Sequence, residues 1–123
     1  MILIMGQCKM IKLFCAFLLF NFALKAQHID VFYSPTCDDS YESRRFISGE
    51  LKQDYPNLKI VEHDVFAKGE GKKMKAVGRK FKIRRLTVPL IVVENSEYVS
   101  GYICERTTGQ AYRDVLNNIL YTD

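Results

Sequence analysis

Val31-Phe32-Tyr33-Ser34-Pro35-Thr36-Cys37-Asp38-Asp39-Ser40 passes from an apolar strand, through a turn, to a cysteine followed by two carboxylates suited to a helix start. Upstream, Ile29, Val31 and Tyr33 interleave with Asp30 and Phe32, which reads as a short strand that Ser34-Pro35-Thr36 breaks at once. Downstream, Ile47, Leu51 and Tyr55 recur at i, i+4 steps. They predict a helix from about Cys37 to Tyr55, stopped by Pro56. Ligands of open α/β sheets gather at the carboxyl ends of strands, and Cys37 stands where the first strand hands over to the first helix.

The pattern continues outward. Leu58 to Val65 is strand-like, and Met74, Val77 and Phe81 lay an apolar stripe along a basic helix from about Glu70 to Lys82. Leu90-Ile91-Val92-Val93 is an unbroken apolar run, hence a buried strand. Asn95-Ser96 turns it into a hairpin with Tyr98-Val99, and Gly101 ends the return strand. A last helix is expected from Thr107 or Thr108, with Tyr112, Val115, Leu116 and Ile119 on one face. The order is β-α-β-α-β-β-α. A crossover joins the first two strands in parallel and the hairpin is antiparallel, so an α/β fold is expected, with a mixed central sheet flanked by helices.

The chain has 123 residues, 18 Lys plus Arg against 14 Asp plus Glu, and four cysteines. Its composition is that of an ordinary globular domain, which sets aside disordered, collagen-like and Cys-stapled classes. Residues 13–24 carry no charge and follow Lys9 and Lys12. A run of this length behind a basic segment suits a secretory signal, whereas crossing a bilayer takes about 20 apolar residues. Residues 1–26 are therefore read as a signal peptide and 27–123 as the domain, with Met10 as an alternative start. The expected location is exported, periplasmic or secreted. Membrane attachment is expected only if the segment stays uncleaved. Cleavage after Ala26 would leave 97 residues, a net charge of +1, and Cys37 and Cys104 as the remaining cysteines. The overall +4 is then mostly a property of the export signal, and nucleic acid is not an expected partner.

The Val31 to Ser40 segment, together with Ile83-Arg84-Arg85-Leu86-Thr87-Val88-Pro89 and with Gly101-Tyr102 beyond the hairpin, resembles the thioredoxin superfamily, nearer its glutaredoxin-like branch. The resemblance covers nearly all of residues 28–120 and implies a thioredoxin-like fold. It also implies that Cys37 is the attacking thiol, that Pro89 is a cis-proline facing it, and that Val88 offers its backbone to a bound peptide or thiol, with Thr87 and Ser40 in the same substrate-binding region. A thiol at a helix N-terminus meets the positive end of the peptide dipoles, and the thiolate is the form that attacks a disulfide.

The motif departs from the family's dithiol pattern. Ser40 stands where the second cysteine of C-x-x-C would be, so this is a C-x-x-S, monothiol motif. Asp38 and Asp39 also set two negative charges beside the sulfur. A mixed disulfide at Cys37 would need release by an outside thiol, such as glutathione or another low-molecular-weight thiol acting as co-substrate, or by Cys104. For Cys104 the open alternatives are a resolving thiol, a static disulfide with Cys37, and an unpaired, buried small residue. No tightly bound cofactor is expected.

From Lys68 to Arg85 there are nine Lys or Arg against Glu70 alone. This reads as a solvated helix face, or as a surface that attracts an acidic protein partner or, through Arg84 and Arg85, the carboxylates of glutathione. His28, His63, Cys37 and Cys104 lack any paired ligand spacing, so no metal site is expected. Two functions fit these residues. One is an exported thiol-disulfide oxidoreductase acting on a protein or small-molecule disulfide; the other is a non-catalytic thioredoxin-like module that binds a protein along the Pro89 edge.

Overall fold

Alternation along the first strand, β1 (Gln27–Tyr33), sends Ile29 and Val31 to one face of the sheet and Asp30 and Phe32 to the other. These residues belong to a computed structural model that describes residues 27–122. The expected signal segment, 1–26, and the side chain of Ile119 lie outside the described set. Among the described residues no helix is long and apolar enough to cross a membrane.

The first helix, α1, starts as Asp38–Phe46, continues through a π-helical turn at Ile47–Leu51, and ends as Lys52–Asp54. Cys37 is its N-cap, Asp38 and Asp39 lie in its first turn, and Tyr55 closes it ahead of Pro56. β2 (Leu58–Asp64) pairs in parallel with β1, with Ile29 opposite Ile60. Helix α2 (Glu70–Lys80) leads to β3 (Leu90–Val93), which runs antiparallel to β1, and to β4 (Glu97–Ser100), antiparallel to β3. The strand order is β2-β1-β3-β4, a mixed sheet as expected. Helix α3 opens with a π-helical turn at Glu105–Gly109 and runs on as Gln110–Thr122.

The larger core packs α1 and α3 onto one face of the sheet through Ile29, Val31, Phe46, Ile47, Leu51, Ile91, Val93, Tyr112 and Leu116. The smaller core puts α2 on the other face through Phe32, Met74, Leu90 and Val92. All four residues of β3 are buried, which accounts for its unbroken apolar run. At roughly 1.5–3 kcal/mol for each fully buried aliphatic side chain, the α1/α3 face carries most of the hydrophobic stabilisation.

Polar contacts supplement the thinner α2 face. His63 on β2 places Nε2 2.8 Å from Asp30 Oδ1 and Nδ1 2.5 Å from Glu70 Oε2 at the start of α2, while its ring stacks on Phe32. Lys73 and then His63 hold the Glu70 carboxyl below its usual range.

Two details of the turns differ from expectation. The hairpin turns at Glu94-Asn95, both at positive φ (52° and 55°), one residue before the expected Asn95-Ser96, and the Ser96 amide closes it onto the Val93 carbonyl. Helix α2 ends at Lys80 rather than Lys82, because Lys82 adopts a left-handed conformation (φ 55°). The Ile83 amide bonds to the Gly78 carbonyl and the Lys82 amide to that of Arg79, which forms a Schellman cap. Leu86 packs closely on Gly78: a Cβ at that position would lie 2.8 Å from Leu86 Cδ2 and would displace that side chain.

A lysine in a left-handed cap position pays a steric cost that glycine does not, so Lys82→Gly should raise stability by about 0.5–1 kcal/mol in urea unfolding. Tyr112→Phe should lower it by about 1–2 kcal/mol by the same measurement. That substitution strips the buried Ser43 hydroxyl of its 2.9 Å partner and the Gly101 carbonyl of a donor.

Candidate functional site

Four loops meet at one end of the sheet. The Val65 amide bonds to the Tyr33 carbonyl, which brings the β2–α2 loop to the end of β1. Continuing the β1–β3 register beyond Phe32↔Leu90 sets Pro89 beside Tyr33 and Val88 beside Ser34. The Gly101 amide bonds to the Pro89 carbonyl at 2.8 Å and Thr87 Oγ1 lies 3.0 Å from Ser100 Oγ, so the loop after β4 joins the same end. The Val88–Pro89 peptide bond is cis.

The Cys37 turn is braced from inside. Its amide bonds to the Ser34 carbonyl, Ser34 Oγ lies 3.1 Å from Thr36 Oγ1, and the Ser34 amide donates to Ser40 Oγ. Ser40 is fully buried, so its hydroxyl positions the turn and is not presented to solvent. The polar side chains of the turn thus hold the backbone that leads into α1, and Cys37 is left half-buried with a free thiol.

Cys104 is also free, and it is exposed rather than a buried small residue. It is the N-cap of the π-helical turn that opens α3. Its Sγ lies 3.4 Å from Thr107 Oγ1. The Thr107 hydroxyl first, then the backbone amides of Thr107 and Arg106, hold the Cys104 thiol below its ordinary range, because each stabilises the thiolate. The helix opens at Glu105, ahead of the expected start at Thr107 or Thr108, so neither threonine caps it. Instead Thr107 serves the sulfur, and Thr108 Oγ1 reaches back to accept the Ile103 amide at 3.0 Å. No sequence signal marks this arrangement, since Cys104-x-x-Thr107 lacks the Ser/Thr and Glu/Gln of a capping box.

Beside Cys104 lies an open cavity of about 480 Å³, lined by Glu42, Tyr102, Ile103, Cys104, Glu105 and Arg106. Cys37 is not among its lining residues; α1 contributes Glu42 instead. The loop after β4 therefore borders α1, but it meets the helix beyond its first turn. Phe66 and Ile103 are 75% and 83% exposed in the β2–α2 loop and the loop after β4, an apolar feature that the sequence reading left unassigned. Arg84 and Arg85 are exposed on the connection from α2 to Pro89. Among the described residues neither arginine has an ion-pair partner, and no three His, Cys, Asp or Glu side chains converge as a metal site would require.

Neither a protein-family model nor a curated protein sequence matches the chain. Solved structures do. Oxidised thioredoxin O2 from Arabidopsis thaliana superposes with a TM-score of 0.51 at 15% identity, over 82% of this chain and 86% of that one. Oxidised thioredoxin from Plasmodium falciparum superposes with a TM-score of 0.50 at 16% identity, over 76% of this chain and 85% of that one. With the β2-β1-β3-β4 sheet, α1 and α3 on one face and α2 on the other, these superpositions establish that the chain has a thioredoxin-like fold.

Proposed function

We propose that the chain is an exported thiol-disulfide oxidoreductase of monothiol type, with Cys37 as the attacking thiol. The observation that carries this reading is that both described cysteines are free and each caps a helix at the end of the sheet where the Pro89 loop lies. Export to the periplasm or the exterior rests on residues 1–26, whose apolar run and basic flank suit a signal peptide.

In the reaction, the Cys37 thiolate attacks one sulfur of a substrate disulfide. A new S–S bond forms to Cys37, the substrate S–S bond breaks, and the departing thiolate takes up a proton. A second, outside thiolate then attacks the substrate-derived sulfur of the mixed disulfide: the Cys37–substrate S–S bond breaks, Cys37 leaves as its thiolate, and a new S–S bond joins the outside thiol to that half of the substrate. Full reduction of one substrate disulfide therefore consumes two outside thiols, which end as their own disulfide. Ser40 cannot supply that thiolate, being a hydroxyl and buried. The absence of Cys37 from the Cys104 cavity favours an outside low-molecular-weight thiol, such as glutathione, as the co-substrate. The Val88 backbone and Thr87, which precede the cis Val88–Pro89 bond at the same end of the sheet, would receive the substrate strand.

Reduction of a small mixed disulfide in the presence of glutathione tests this. Wild type should turn over, Cys37→Ser should fall to the uncatalysed rate, and Cys104→Ser should keep most of its activity. Equal inertness of wild type and Cys37→Ser would leave the fold as a binding module. Alkylation separates the thiols by their surroundings. Because the Cys104 thiolate is stabilised, its reaction with iodoacetamide should rise at lower pH than that of an ordinary thiol, whose midpoint is about 8.5. Thr107→Val should move that rise to higher pH, read by mass spectrometry of the Cys104 peptide.

A further inference from the structure

The end of α2 and the connection that follows it form a surface that thiol exchange does not use. A groove of about 370 Å³ there is lined by Lys75, Gly78, Arg79, Lys82, Ile83 and Leu86. Its apolar part is Leu86, exposed and lying against Gly78 of the helix, and Ile83, which is half-buried. Its rim is cationic, with no acidic residue in the lining. Lys75, Arg79 and Lys82 are exposed and make no ion pair among the described residues, whereas Lys73 is neutralised by Glu70 and Lys80 donates to the Asn95 carbonyl.

Two observations suggest that this charge is arranged for a ligand. Residues 68–85 carry a net +8, while the remainder of 27–123 carries −7, so the positive charge is concentrated on one element of a nearly neutral domain. Lys82 also lines the groove from a left-handed backbone position that glycine would occupy more cheaply. We infer that the groove docks an acidic polypeptide segment of a partner, with one aliphatic side chain on Ile83 and Leu86 and flanking carboxylates on Lys75, Arg79 and Lys82. Charge complementarity selects the acidic partner. Leu86 and Ile83 offer room for one aliphatic side chain of a polypeptide, less than the continuous apolar face by which an interfacial helix enters a lipid surface. This inference goes beyond the proposed oxidoreductase reading and does not depend on Cys37.

The test is fluorescence anisotropy of a labelled peptide, one leucine flanked by glutamates, titrated with the full chain. Binding should weaken steeply with added salt and drop about tenfold or more in Lys75→Glu and Arg79→Glu. Lys82→Gly supplies a control for folding: it should bind the peptide more weakly while unfolding at higher urea. Arg79→Glu should leave exchange on a small disulfide unchanged, so this test and that of the oxidoreductase reading fail separately. Four results would overturn the inference. They are undiminished binding in the charge-reversal variants, equal binding of a glutamine-for-glutamate control peptide, binding to phosphatidylglycerol vesicles without binding to the peptide, and self-association that the same variants abolish.

Discussion

The hydroxyl of Tyr112 sets the geometry on which both thiols depend. It lies 2.9 Å from Ser43 Oγ in the middle of α1 and donates to the Gly101 carbonyl at the exit of β4. Tyr112 is buried, and burial pushes its phenol well above the ordinary range, so the group stays a neutral donor and acceptor. Three elements are therefore held at one atom. The helix capped by Cys37, the loop leading to Cys104 and the helix capped by Cys104 cannot shift independently without breaking a buried hydrogen bond. Packing of Phe46 with Tyr102 and Tyr112, at centroid separations of 6.4 and 6.3 Å, surrounds this contact with aromatic surface and keeps water from it.

The opposite face of the sheet is organised by charge. Helix α2 buries only Met74 and Gly78, with Val77 partly covered, too little apolar surface to fix it as firmly as α1 or α3. The chain from Lys73 through Glu70 and His63 to Asp30 fastens its first turn to β1 and β2, while the Schellman cap at Lys82 and the Leu86 contact fix its end. Between these anchors the solvent face is free to carry cations that serve no packing role. The α1/α3 face supplies stability and the α2 face supplies charge. A substitution on α2's outer surface can therefore change recognition with little effect on the fold.

Most of the architecture was legible because it rests on periodicity. The i, i+4 spacing of Ile47, Leu51 and Tyr55 identified α1, and the four-residue apolar run at Leu90 could belong only to a strand covered on both faces. What could not be read turned on side chains whose roles depend on tertiary partners. Ser40 reads as a site residue by its spacing from Cys37, yet it is buried under the turn and holds the Ser34 amide. Thr107 and Thr108 read as the start of the last helix, whereas the helix opens at Glu105 under a Cys104 cap and the threonines serve the sulfur and the Ile103 amide. Lys82 read as helical because nothing in its identity announces a left-handed backbone. Glycine is the residue that marks such positions, and it is absent there.

The two thiols sit at equivalent backbone positions in different surroundings, and that contrast bears on how exchange would be divided between them. Cys37 is half-buried, followed by Asp38 and Asp39, and beside a loop whose backbone is poised to meet an extended chain. Cys104 is exposed, followed by Arg106, and next to an open cavity bordered by Glu42 and Glu105. Cys104 is the more accessible sulfur, and a small thiol or an oxidant could reach it through the open cavity. Hydrogen bonds from Thr107 and Arg106 stabilise the Cys104 thiolate, and this exposed thiol is open to an oxidant. A domain with one cysteine in its helix motif in this way keeps its two thiols in different surroundings, on elements joined by the contact of Tyr112 with Ser43.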